Sequence, residues 1–252
     1  MIRGIYTAAS GMNVFEIKQG VLANNLANIE TPGFKADLLR AEAVYERAIS
    51  RFTDEQSPIS IGSLSIGAQL ISEHQTDFSQ GRIETTGNHL DFALQGGGFF
   101  VVATPEGEGY TRAGNFALDT DGRLVNVDGF PVLGTTGEIV LPPGGTFLVD
   151  DQGRIRVDDE EVDQLRVVDF DDRNLLVKRG LNNFFPVDDL VEPREAVGFR
   201  VVQGSLERSN MNVVEAMVTM IETLRKFEAA QRAIQSQDLA LQRAVNDIAR
   251  LR

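Results

Sequence analysis

Side chains suited to catalysis or ligand binding are sparse in this chain and poorly grouped. His74 and His89 are the only histidines in 252 residues, and neither has a companion at metal-ligand spacing. Asp91 stands two residues from His89, on the same face if the stretch is a strand, yet no activated nucleophile accompanies the pair. The absence of cysteine excludes disulfides, thiolate zinc sites and cysteine nucleophiles. Gly62-Ser63-Leu64-Ser65-Ile66-Gly67 misses the Gly-x-Ser-x-Gly elbow by one position, and no strand-to-helix turn surrounds it. Gly96-Gly97-Gly98 lacks the Lys-Ser/Thr of a phosphate loop and leads into a strand, so it reads as a tight turn. Asp119-Thr120-Asp121-Gly122 opens like a calcium loop, but Arg123 and Leu124 occupy the fifth and sixth positions, where Asp or Asn and then Gly are required. No catalytic residue, metal site or cofactor is expected.

The bulk properties narrow the partners. The formal charge is −13, from 37 acidic and 24 basic residues, and such a chain repels nucleic-acid phosphates. The stretch from Asp150 to Asp172 is acid-rich, as expected of solvated strands and turns. The longest apolar run, Phe99 to Ala103, is far too short to insert in a bilayer. The N-terminus lacks the continuous apolar stretch of a cleaved signal peptide, so export would need an uncleaved route.

Two apolar seams frame the chain. One runs Ile5, Ala8, Met12, Phe15, Gln19, Leu22, Leu26, Ile29; the other runs Val213, Met217, Met220, Leu224, Phe227, Gln231, Ile234, Asp238, Leu241, Val245, Ile248. Alternating steps of three and four keep each on one narrow helical stripe, the spacing of a coiled-coil seam. The first helix should span Ile2 to Ile29 and stop before Thr31-Pro32-Gly33. The second should start at Asn212, an N-cap with Glu215 three residues on, and run about 40 residues, or ~60 Å. Asp37 to Arg51 suggests a second helix or an irregular arm, and Ser57 to Gly67 an extended or flexible segment. From Gln69 to Val202, short β-branched and aromatic runs separated by turns such as Asp121-Gly122 and Asp128-Gly129 predict antiparallel β structure. The expected fold is α+β: long N- and C-terminal helices forming a coiled-coil-like pair, with a central, mainly antiparallel β domain. Its expected divisions are residues 1–35, an arm over 36–68, the β domain over 69–204, and 205–252.

Three stretches resemble one family. Leu22-Ala23-Asn24-Asn25-Leu26-Ala27-Asn28-Ile29-Glu30-Thr31-Pro32-Gly33-Phe34-Lys35 is similar to the N-terminal signature of flagellar basal-body rod and hook proteins. Gly97 to Gly134, with Tyr110-Thr111-Arg112-Ala113-Gly114-Asn115-Phe116, resembles their central β region. Gly204-Ser205-Leu206-Glu207-Arg208-Ser209-Asn210-Met211-Asn212 resembles their C-terminal signature. Within the family, Thr31-Pro32-Gly33-Phe34 and Pro131-Val132-Leu133-Gly134 are most like the proximal rod branch, while Gly11-Met12 and Gly98-Phe99-Phe100 also fit the distal one.

The resemblance implies a structural axial subunit, exported through the flagellar type III apparatus and polymerised into the periplasmic rod. Its implied partners are copies of itself, other rod and hook proteins and the export apparatus, with no nucleic acid and no direct membrane insertion. Leu22, Leu26, Met220, Leu224, Phe227, Ile234 and Leu241 are the expected interface, with Asn25, Asn28 and Asn210 beside them. The competing class is a secreted β-sandwich binding protein or hydrolase oligomerised by helical arms; it requires a concave polar cleft in the middle of the chain.

Overall fold

Helix α1 covers Ile2–Ala27, two residues short of the expected Ile29, and a turn leads on to Pro32. Pro32 follows, and Gly33 adopts a positive φ of 67° that a β-carbon would disfavour. The second helix, α2, covers Val213–Arg250, 38 residues. Asn212 caps it, its Oδ1 accepting from the amides of Val214 at 3.1 Å and Glu215 at 3.4 Å. This computed structural model describes residues 2–39, 46–53, 56–65, 74–142, 147–158, 160–180, 182–188 and 191–250. No helix among the described residues is long and apolar enough to cross a membrane.

The chain divides into two compact units. One comprises Met1–Leu26, Asp37–Gln75 and Asn212–Arg252; the other comprises Ala27–Ala36 and Thr76–Met211. In the first, Glu46–Thr53 pairs antiparallel with Gln56–Ser65, so this part of the arm is a β-ribbon and the helical alternative is not adopted there. Strand geometry suits the alternation Ile59-Ser60-Ile61. Ile66 and Gly67 lie outside the described residues.

The second unit is β-rich throughout. Its largest sheet has six strands in the order Leu176–Arg179, Asn183–Pro186, Gly107–Thr111, Phe99–Thr104, Val167–Asp169 and Arg194–Glu195, every pairing antiparallel. The unbroken apolar run at Phe99 follows from this position. Phe100 and Val102 point into one core with Phe92, Leu124 and Ile139, while Phe99 and Val101 point into another with Tyr110, Phe170 and Phe184. A strand buried on both faces loses the polar alternation of a half-exposed one. The two-stranded pairs Phe92–Gln95 with Arg200–Gln203 and Ile83–Thr85 with Ser205–Glu207 join early and late segments of the unit.

The expected coiled-coil-like pair of helices is not what forms. The α+β class stands, but among the described residues α1 and α2 share no extended packing seam. They come close at Gly4, where a β-carbon would lie 2.3 Å from Gln237 Nε2. In α2 the seam positions Val213, Met217, Leu224, Gln231, Asp238 and Val245 are all exposed. The covered stripe is turned one residue toward the N-terminus, with Ala216 and Thr223 buried and Ala230, Gln237 and Ala244 half-buried. Met220, Phe227, Ile234 and Leu241 belong to both stripes and are half-buried. A paired coil would have had to bury Gln231 and Asp238; the observed rotation leaves both in water, where their polar groups carry no desolvation cost.

Candidate functional site

The densest polar arrangement lies beneath the three signature stretches. Gly33 N–H donates to the Glu207 carbonyl at 2.7 Å, bringing the end of the first signature against the third. A β-carbon on Gly33 would fall 2.3 Å from Ala113 N, so the segment also presses on the second. Phe34 is then buried with the Lys178 ammonium 4.1 Å from its ring centroid, and Lys178 Nζ donates to the Lys35 carbonyl at 2.7 Å. Asn182 Nδ2 holds the Pro32 carbonyl at 2.7 Å.

Lys35 itself turns inward. Its Nζ lies 2.6 Å from Glu207 Oε1 and 2.7 Å from the Ser79 carbonyl. Arg112 Nη1 reaches Glu207 Oε2 at 3.2 Å, and its Nη2 donates to the Gly96 carbonyl at 2.7 Å. Gly81 N–H donates to Glu207 Oε1 at 2.8 Å. The three charged side chains are 1%, 2% and 0% exposed for Lys35, Arg112 and Glu207, so two cations share one desolvated anion. Burial lowers the Lys35 pKa from its ordinary 10.5 by more than the attraction of Glu207 restores, and burial lowers that of Arg112 in the same way. Such a node contributes little net stability over an apolar core, but losing its anion would strand two buried cations. Its chemistry is that of a clamp.

The expected interface residues fall into two groups. Asn25 is buried and pairs with the backbone of Asp37 in both directions, at 2.8 Å and 3.0 Å. Asn210 accepts from Ala36 N at 2.9 Å and donates to the Asp77 carbonyl at 2.8 Å. Asn28 Oδ1 accepts from the Thr31 hydroxyl at 3.3 Å. These three amides have bonds within their own chain. Leu22, Leu26, Met220, Phe227, Ile234 and Leu241 are half-buried, and Leu224 is 42% exposed. Beside Leu224 stand Val214, Met217, Val218 and Ile221, all exposed, and their three-and-four spacing puts them on one face of α2.

Lys35, Arg112 and Glu207 were not among the residues expected to matter. Each looks like an ordinary surface charge in the sequence, and only the fold reveals that the three meet. The available signal was their distribution, with one member of the node in each signature stretch. The Asp119–Gly122 turn is equally plain in three dimensions. Asp119 Oδ1 accepts from the amides of Asp121 at 2.9 Å and Arg123 at 2.8 Å, and Arg123 pairs with Asp121 and Glu138 at 3.2 Å each. The acids there close a turn.

Comparison with known proteins follows the same three-part division. Residues 5–35 match the family profile "Flagella basal body rod protein", residues 93–159 match "Flagellar hook protein FlgE/F/G D1 domain", and residues 202–247 match "Flagellar basal body rod FlgEFG protein C-terminal". Each matched segment supplies one member of the buried charge node. The chain is 31% identical to the "Flagellar basal-body rod protein FlgG" of Bacillus subtilis (strain 168), over 98% of this chain and 99% of that protein. It is 32% identical to the "Flagellar basal-body rod protein FlgF" of Escherichia coli (strain K12), over 94% and 95%. It is 30% identical to the "Flagellar hook-basal body complex protein FlhO" of Bacillus subtilis (strain 168), over the full length of both.

Proposed function

The chain belongs to the flagellar basal-body rod protein family, and on that premise we propose that it is a structural subunit of the rod that polymerises through its terminal helices. In this reading it transmits torque, lines the path of exported cargo and leaves the cell through the flagellar export apparatus without a cleaved signal. Its place is the proximal part of the rod, among copies of itself and other axial proteins. Its work is mechanical, without substrate or cofactor.

The observation that carries the reading is the uncovered face of α2. Val214 is 71% exposed, Met217 49%, Val218 52%, Ile221 53% and Leu224 42%. An apolar face of this kind gains free energy when another surface removes it from water, at roughly 25 cal/mol per Å². Leu22, Leu26, Met220, Phe227, Ile234 and Leu241 flank the interface in this scheme, and Asn25, Asn28 and Asn210 hold the backbone that presents it.

Leu224→Asp tests the reading. The purified variant should match the parent in urea midpoint to within about 0.5 kcal/mol, because the position is partly solvated. Cells carrying it should lack basal-body rods by electron microscopy. Normal rods and swimming would remove α2 as the assembly surface.

A further inference from the structure

The outer hairpin of the six-stranded sheet leaves apolar surface uncovered. Val177 and Phe185 stand opposite each other in register, and the Leu175 carbonyl accepts from Val187 N–H at 2.8 Å, so these four residues run together along one face. Leu176 and Phe184, alternating with them, point the other way into the core. Leu175, Val177 and Val187 are exposed. The ledge they form leads into a cavity of about 460 Å³ whose wall includes Phe185, Phe130 and Pro105. Arg179 and Glu106, joined at 3.1 Å, stand on the same wall. At the opposite edge of the sheet, two residues beyond Glu195, Val197 is 91% exposed. Its neighbours hold it out. Ala196 and Phe199 pack against the core, Ala196 N–H donates to the Val167 carbonyl at 3.1 Å, and Gly198 turns the chain with a φ of 75°. Glu195 and Arg194, the latter paired with Asp171, flank this knob and are exposed.

We propose that the Val197 knob of one copy docks on the ledge and cavity of a second copy. A single exposed apolar side chain is ordinary on a protein surface, but a ledge of three that ends in an apolar cavity gains free energy when covered. Charge and position select the occupant. Arg179 and Glu106 stand on the cavity wall, and Arg194 and Glu195 flank the knob, so each side carries both signs and can answer the other. A ligand of one sign would meet repulsion from part of the wall. The two edges are five strand spacings apart, roughly 24 Å, and residues 194–199 do not line the cavity, so no copy fills its own. Contact between opposite edges joins copies head to tail and repeats without closing on a pair. It rests on the reading of the chain as a rod subunit only for its partner, a second copy, and it lies wholly within the β unit, away from the α2 face.

The chain has no cysteine, so introduced thiols report the contact directly. Full-length Val197→Cys and Pro105→Cys chains, each altered at an exposed position, are mixed and treated with a short bismaleimide. The mixture should yield cross-linked dimer at least about tenfold above either chain alone, where only random collisions join like positions. A chain carrying both cysteines should give a ladder of higher multiples. Val187→Asp, placed in the Pro105→Cys chain, should cut the yield at least about tenfold, because its carboxylate would lose water on docking. Its melting curve should overlay that of the Pro105→Cys chain. A mixture no better than its components, or a yield unchanged by Val187→Asp, would overturn the contact. Normal rods without the cross-link would strike this contact and leave the rod reading intact; the cross-link from chains that build no rods would do the reverse.

Discussion

The Lys35–Glu207–Arg112 node and the exposed face of α2 answer opposite physical demands with neighbouring parts of the sequence. In the node every charge is removed from water, and two cations share one anion inside one chain. On α2, apolar side chains remain in water. One region is closed within the chain; the other is open to solvent.

The contrast breaks most directly at Glu207. Glu207→Gln leaves Lys35 and Arg112 buried without an anion and should destabilise the full chain by about 3–5 kcal/mol in urea unfolding. Leu224→Asp should spare stability and remove assembly. If instead Glu207→Gln left stability intact and stopped assembly, the division of labour would be reversed.

Gly33→Ala comes next. A positive φ of 67° and a β-carbon 2.3 Å from Ala113 N both oppose the change, and a loss of about 2–3 kcal/mol is expected by the same measurement. A loss below 1 kcal/mol, on the order of an ordinary surface substitution, would mean that the signature segment tolerates displacement from the β unit.

Acid sharpens the comparison because it acts on the folded interior and spares the apolar face of α2. Burial pushes the Asp163 carboxyl up, but hydrogen bonds from the Thr136 hydroxyl, the Gln164 amide and the Thr135 hydroxyl outweigh it and hold its pKa below the usual 3.8. The unfolded chain therefore takes up this proton first. The stabilising contribution is complete above 3.8 and is lost as the pH falls through the lower folded value. Asp163→Asn should make the acid limb of the stability profile shallower, read by circular dichroism against pH. An unchanged limb would remove Asp163 as a contributor.

The smallest effect belongs to the α2 cap. Asn212→Ala should cost about 1 kcal/mol and fray the first turn of α2, seen as faster amide exchange at Val214 and Glu215. Exchange unchanged at both amides would show that the cap does not hold that turn.

Much of the frame was legible in the chain. Pro32 and Gly33 mark the end of α1, Asn212 marks the start of α2, and Asp121-Gly122 and Asp128-Gly129 mark turns whose glycines have φ of 81° and 82°. These are local signals, written within a few residues of the structure they cause. The helix seams were legible only as faces. Three-and-four spacing says which side chains line up and is silent on what covers them, and α2 has apolar residues around more than half its girth. The covered stripe consequently follows Ala216, Thr223 and Ala230, small residues with little hydrophobic weight in any periodicity. The node was hidden for a different reason. Lys35 and Glu207 are 172 residues apart, and Arg112 and Glu207 are 95 apart, so nothing local distinguishes them from solvated charges.

That separation also sets an order of events. A chain that appears from its N-terminus, whether during synthesis or after passage through a narrow conduit, presents Lys35 early and Arg112 next. Both remain hydrated until the 207th residue arrives, because neither can leave water without its anion. The last pairing of the β unit, Ser205–Glu207 against Ile83–Thr85, closes at the same moment. Completion of the β unit is thus timed by the length of chain delivered, and α2 emerges after it.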